Sequence, residues 1–129
     1  MIILGLRTDS PVTQLCIRTG DGKIVSKEVE TGRELALRLL ELISTFTREN
    51  GASLNSLGGL VCFAGPGSFT GLRIGHTVMN TLAYSLDIPI VQKSGLLWFA
   101  EGCGGIDLGE NEKVVLPKYG SEPNITKPK

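Results

Sequence analysis

The sequence predicts an α/β fold in which a mixed β-sheet is flanked by helices. Residues 1–29 read as three strands, and Gly20-Asp21-Gly22 is a tight-turn signal between the second and the third. After residue 30, helical and strand patterns alternate, which is typical of parallel neighbours in one sheet. The chain has 129 residues, of which 41% are hydrophobic, and this is enough for one domain around a single core.

Each element follows from a local pattern. The three opening strands cover residues 1–7, 12–19 and 23–29. A first helix is predicted over 31–50, with Thr31 and Glu34 as a capping box and Gly51 as its end. A buried strand over 60–64, a second helix over 72–86 and a strand over 88–91 follow. Ser94 is then predicted to cap a short helix over 95–101.

Composition excludes several classes of function. Lys plus Arg and Asp plus Glu number 13 each, so the strongly basic face of a domain that binds nucleic acid alone is not expected. The three cysteines form no CxxC pair and there is one histidine, which argues against a zinc site or a disulfide framework. Cys16 and Cys62 are expected in the core, with Trp98 and Phe99 under the sheet. No apolar run reaches the ~18 residues of a membrane helix, and no signal peptide is recognised, so a cytoplasmic protein is expected.

The loop GPGSFTG at residues 65–71 is the most informative motif. Pro66-Gly67 fits the centre of a type II turn, and Ser68 or Thr70 can cap the helix that follows. Three interpretations compete. A glycine-rich turn before a helix can bind a phosphate, although the loop is neither GxxxxGK[ST] nor GxGxxG. It can also be a plain strand-to-helix connection, or a shaped loop at a protein interface.

The two long helices have broader apolar arcs than one core requires. The first spans about 160° of the helical wheel and the second about 180°, whereas a surface helix needs a stripe of about 100°. On the polar half of the second helix, Arg73 is the one reliably charged side chain. Gly71 and Gly75 lie one turn apart and permit a close approach of another backbone. These features favour a helical interface, although burial in the core alone also explains them.

GPGSFTGLRIG at residues 65–75 closely resembles the signature of the TsaB family, also called YeaZ. More diffuse similarity covers the opening MIILGLRTDSP, the first helix GRELALRLLELI and the tail LPKYGSEPNITKPK. The resemblance implies one actin-like lobe of the ribonuclease H-like class. Two departures stand out: Arg7 occupies the place of the acidic residue expected in actin-like ATPases, and the second lobe of typical members is missing between the first lobe and the tail.

The resemblance also implies a function. The chain is expected to be a non-catalytic subunit that binds the TsaD-type threonylcarbamoyltransferase, with a TsaE-type ATPase and tRNA joining the complex, and with a homodimer when the partner is absent. No catalytic residue, metal or cofactor is expected. The runner-up is a small nucleotide-binding enzyme of the actin-like superfamily. The expected partner interface comprises Leu39, Leu42, Ile43, Phe46, Leu72, Arg73, Gly75, His76, Met79, Asn80 and Ala83; the signature loop comprises Gly65, Pro66, Gly67, Ser68, Phe69, Thr70 and Gly71.

Three regions are predicted along the chain. Residues 1–102 are expected to form the lobe, residues 103–113 a linker in place of the second lobe, and residues 114–129 an extended tail. The tail is rich in proline and poor in apolar residues, so it is not expected to form a core of its own. Tyr119 and Ile125 are its expected docking anchors.

Overall fold

The computed structural model describes residues 1–118 and has a five-stranded sheet with helices on both faces. The strands are β1 (Ile2–Arg7), β2 (Val12–Arg18), β3 (Ile24–Glu30), β4 (Leu57–Phe63) and β5 (Ile90–Lys93). The helices are α1 (Leu35–Glu49), α2 (Phe69–Leu86) and α3 (Trp98–Asp107), with 3-10 turns at Gly32–Glu34 and Leu54–Ser56. The predicted α/β class and the mixed sheet are confirmed.

The strand order β3-β2-β1-β4-β5 explains where a functional edge can form. β1 pairs antiparallel with β2 and parallel with β4, and β4 pairs parallel with β5. The carboxyl ends of β1, β4 and β5 therefore meet at one edge of the sheet. The loops that follow these three strands lie together at this carboxyl edge.

Side chains alternate between the two faces of the sheet, and each face has its own core. Leu4 and Leu6 of β1 pack with α1 and α2, because successive strand residues point to opposite sides. Ile3 lies on the other face in the cluster under α3. Trp98 and Phe99 belong to the same cluster, with ring centroids 5.6 Å apart, so their predicted place beneath the sheet is confirmed.

The cysteines are also core residues. Cys16, Cys62 and Cys103 are all buried and free. Burial raises the pKa of the Cys16 thiol to about 12 and that of the Cys103 thiol to about 11. The neutral thiol form therefore dominates near neutral pH, and these side chains act as small apolar groups.

Helix starts differ from the prediction. Thr31 makes no side-chain cap, because its hydroxyl is hydrogen-bonded to Thr13 Oγ1 at 2.8 Å and lies against Pro11 O at 3.3 Å. The capping box with Glu34 was wrong for this reason. Ser94 does not cap α3 either, since its Oγ donates to Gly65 O at 2.5 Å. Of the two predicted caps of α2, Ser68 and Thr70, the structure has Ser68: its Oγ accepts the Gly71 amide at 3.3 Å.

The predicted linker at 103–113 begins too early. α3 continues to Asp107, and Cys103 and Ile106 are buried against the sheet. A glycine-rich composition suggested a loop, but the apolar side chains are spaced so that they reach the core from one face of the helix. After α3 the chain returns along β5, where Glu112 N donates to Ile90 O at 2.8 Å.

The start of the predicted tail is likewise part of the lobe. Val115 is 1% exposed and belongs to the core beside α2. The Asn80 amide forms two hydrogen bonds with its backbone: Asn80 Nδ2 donates to Val115 O and Val115 N donates to Asn80 Oδ1, each at 2.9 Å. Lys118 N then donates to Ala64 O at 2.8 Å. Tyr119 and Ile125, the predicted anchors, lie outside the described residues.

Candidate functional site

The signature loop lies at the carboxyl edge of the sheet and is held by the residues that follow β1. Ser68 N donates to Asp9 O at 2.9 Å, and a β-carbon at Gly67 would overlap Asp9. The predicted positive φ of a type II turn is not found at Gly67. It falls instead at Gly65, with φ of 113°, and a β-carbon there would overlap Lys118 O. The loop is therefore a tightly packed connection.

Gly71 and Gly75 serve a close approach inside the lobe. Thr8 Oγ1 donates to Gly71 O at 2.8 Å, and a β-carbon at Gly71 would overlap Thr8 O. A β-carbon at Gly75 would overlap Thr8 Oγ1. The expectation that these glycines open a crossing with a partner helix was wrong, because α2 uses them to pack against the end of β1.

The acidic group nearest the loop is already paired. Arg7 Nε and an Nη atom donate to the two carboxylate oxygens of Asp9 at 2.8 and 3.1 Å. The guanidinium also lies 3.8 Å from the centre of the Phe63 ring. Among residues 1–118, no three His, Cys, Asp or Glu side chains are grouped so that they could bind one metal ion. The carboxyl edge therefore offers a neutral ion pair, which suits packing better than metal binding.

Most of the predicted interface side chains lie inside the lobe. Each of these has at most a few per cent of its surface exposed, because the apolar arc of each helix faces the sheet: Leu39, Ile43, Phe46, Leu72, Gly75, His76, Met79 and Ala83. Their side chains are packed mainly against other parts of the lobe. Their assignment to the interface is therefore corrected to the core. Leu42 and Asn80 are half-buried, and Arg73 is exposed.

His76 is a core residue with both ring nitrogens in hydrogen bonds. Nδ1 is 2.9 Å from Leu72 O, and Nε2 is 3.0 Å from Gln92 Oε1. The imidazole is 3% exposed and links α2 to β5. It therefore contributes to the stability of the fold and is shielded from solvent.

An open groove between α1 and α2 was missed by the residue-level prediction. We call it the α1–α2 groove; its three adjoining sections measure about 350, 380 and 350 Å³. Its sides are formed by Arg33, Ala36, Leu40, Leu54, Thr70, Arg73, Ile74, Thr77, Val78, Thr81, Leu82 and Ser85. The excess width of the apolar arcs was the signal for it. Most of each arc enters the core, and another part of it, including Leu40 of α1 and Val78 of α2, lines this groove.

Comparison with known proteins identifies the family. A model of the TsaD family, described as tRNA N6-adenosine threonylcarbamoyltransferase, matches residues 24–114. The proteins named tRNA threonylcarbamoyladenosine biosynthesis protein TsaB from Haemophilus influenzae and Escherichia coli are similar to the chain. The first is 35% identical over 60% of this chain, and the second is 30% identical over 79%. The chain belongs to the TsaB/YeaZ family.

The fold agrees with this family. YeaZ from Pseudomonas aeruginosa aligns with a TM-score of 0.67 and 29% sequence identity over 74% of this chain. The chain spans 32% of the Haemophilus relative, 44% of the Escherichia relative and 44% of the Pseudomonas structure. It therefore corresponds to less than half the length of these TsaB/YeaZ proteins.

No helix in the described part of the chain has both the length and the apolar character that a membrane span requires.

Proposed function

We propose that this chain is a non-catalytic partner subunit that binds a TsaD-type threonylcarbamoyltransferase through the α1–α2 groove. In this role it supports threonylcarbamoyladenosine modification of tRNA next to the anticodon. The observation that supports the proposal most strongly is an open, largely apolar groove between the two long helices of a TsaB/YeaZ family member. A TsaE-type ATPase and tRNA join through the TsaD-type subunit in this proposal.

The groove has the composition of a protein interface. Its middle section is lined by aliphatic side chains, hydroxyls and Arg73. Its far section is lined by aliphatic side chains and hydroxyls alone, among them Leu40, Val78 and Leu82. Leu40 is 55% exposed although it is a large aliphatic residue. Contiguous exposed apolar surface on a soluble protein commonly marks a binding site. A second protein that lays helices along α1 and α2 would cover it and gain the free energy of removing that surface from water.

The chemistry of the candidate catalytic groups supports an accessory role. Ser68 uses its hydroxyl to cap α2, and His76 is buried away from it with both ring nitrogens bonded. The Asp9 carboxylate is paired with Arg7 in two hydrogen bonds. A nucleophile needs a base within hydrogen-bond reach, and none of these groups forms such a pair. Within residues 1–118, no cluster of metal-binding side chains supports the alternative of a small nucleotide-binding enzyme.

Self-association through the same groove is expected when the partner is absent. An apolar groove that stays open in solution lowers solubility, and a second copy of the chain is the nearest available surface. We therefore expect a concentration-dependent homodimer that the TsaD-type subunit displaces.

The test is binding to the TsaD-type protein of the same cell, measured by co-purification and calorimetry. Thr81→Arg places a cation in the groove from an exposed position, so folding should be kept while binding is lost. Ser26→Arg introduces the same side chain on exposed β3 and serves as the control. Circular dichroism checks the fold of both. The proposal fails if the parent chain does not bind, or if Thr81→Arg binds as tightly as Ser26→Arg. Gly75→Arg is unsuitable because Gly75 abuts Thr8 inside the lobe.

A further inference from the structure

The charged side chains that line the α1–α2 groove are all positive. Arg33 and Arg73 are the charged side chains among its lining residues, and the lining contains no Asp or Glu. Both arginines are exposed, and they line adjoining sections that share Thr70 and Ile74. The positive charge is thus concentrated at one end, while the end near Leu40 and Leu82 is uncharged.

Neither arginine is neutralised within the described chain. Residues 1–118 contain ion pairs at other arginines and lysines, but none that involves Arg33 or Arg73. The guanidinium of Arg73 lies 5.3 Å from the centre of the Phe69 ring, which orients it without cancelling its charge. The amino end of α2 begins at Phe69 in the same region and adds the positive end of a helix dipole.

We propose that the partner's groove-filling helix has an apolar stripe along Leu40 and Leu82 and a carboxylate at the end that faces Arg33 and Arg73. This inference rests on the proposed function and adds the chemistry of the partner's surface. Charge complementarity of this kind sets the register of two helices and speeds their encounter. A second copy of this chain would present the same lining, which has no carboxylate for these arginines. The groove is therefore better matched to the partner than to itself.

Charge reversal at Arg73 tests the inference, with a matched reversal elsewhere as the control. Arg73→Glu places a carboxylate opposite the expected carboxylate. Arg48→Glu makes the same change on the last turn of α1, at an exposed position that does not line the groove. Calorimetry with the TsaD-type partner is run at about 0.05 M and about 0.5 M NaCl, because salt screens exposed charges. Arg73→Ala is measured as well, since it removes the charge with the least demand on folding.

At low salt, Arg73→Glu is expected to weaken binding at least about ten-fold relative to Arg48→Glu, and Arg73→Ala by a smaller factor. Both losses should shrink at high salt. Homodimerization of both Arg73 variants, measured by analytical ultracentrifugation, should not weaken. In a homodimer both grooves carry the same arginines, so the substitution removes repulsion between like charges.

Three results would overturn the inference. The first is binding by Arg73→Glu and Arg73→Ala that equals binding by Arg48→Glu at both salt concentrations. The second is unchanged binding to the protein partner with loss of tRNA binding by the assembled complex, which would assign the arginines to nucleic acid. The third is a parent chain that does not bind the TsaD-type partner at all. This result would refute the proposed function itself, and measuring the parent alone distinguishes it from the first two results.

Discussion

Asn80 is predicted to stabilise the lobe. Its substitution measures how much its hydrogen bonds to Val115 contribute to the free energy of unfolding. Asn80→Ala deletes one donor and one acceptor that bond Val115 O and Val115 N, each at 2.9 Å. Each such hydrogen bond contributes about 1 kcal/mol net, and unpaired buried polar groups add to the loss. We expect a decrease of about 2 kcal/mol in the free energy of unfolding. For a domain of this size, that corresponds to a melting temperature lower by roughly 6–10 °C.

The assay is thermal and urea unfolding followed by circular dichroism, together with binding to the TsaD-type partner at low temperature. Thr81→Ala is the neighbouring control for the unfolding measurements alone, because its hydroxyl is exposed and bonds Thr77 O within the same helix. It should change stability by less than about 0.5 kcal/mol. The reasoning is refuted if Asn80→Ala melts like the parent while binding weakens, since Asn80 would then be an interface residue as the sequence first suggested.

Three further predictions concern glycine packing in the helices, the Arg18–Asp107 ion pair and the buried thiols. Gly75→Ala forces a methyl group into Thr8, and the free energy of unfolding in urea should fall by about 1–3 kcal/mol. In Gly104→Ala the new methyl group on α3 meets nothing within 4 Å, so the free energy of unfolding should rise by up to about 1 kcal/mol. The hydrogen bond from Arg18 lowers the pKa of Asp107, so its stabilising contribution is present at neutral pH and is lost as pH falls below about 4. The difference in melting temperature between the parent and Asp107→Asn should therefore shrink as the pH is lowered below that value. The buried cysteine thiols should resist a thiol reagent at pH 8 in the native protein and react in denaturant, and rapid native labelling would contradict their burial.

The sequence was sufficient for the fold class because hydrophobic period and turn chemistry agree along most of the chain. The opening strands, the loop and the capping role of Ser68 follow from local patterns of this kind. Helix limits were less accurate where tertiary contacts compete with local ones. Thr31 and Ser94 are good caps in isolation, but both hydroxyls bond distant segments of chain.

The candidate site was predictable as a pair of helices but not as a set of residues. An apolar arc shows that a helix face is covered, and it does not show whether the sheet or a partner covers it. Met79 and Val78 are adjacent in sequence and both apolar, yet Met79 is 0% exposed while Val78 lines the groove. The roles of Gly75 and Asn80 depend on Thr8 and Val115, which are far from them along the chain, and no local pattern reveals such contacts.

The parallel pairing of β1 with β4 has a consequence for synthesis of the chain on the ribosome. β1 is the central strand, but its second neighbour starts at Leu57, about fifty residues after the strand has been made. During that interval the nascent meander β1–β3 has an unpaired apolar edge, which is the kind of surface that captures other strands. Any delay before β4 leaves the ribosome and pairs with β1 would lengthen this exposure.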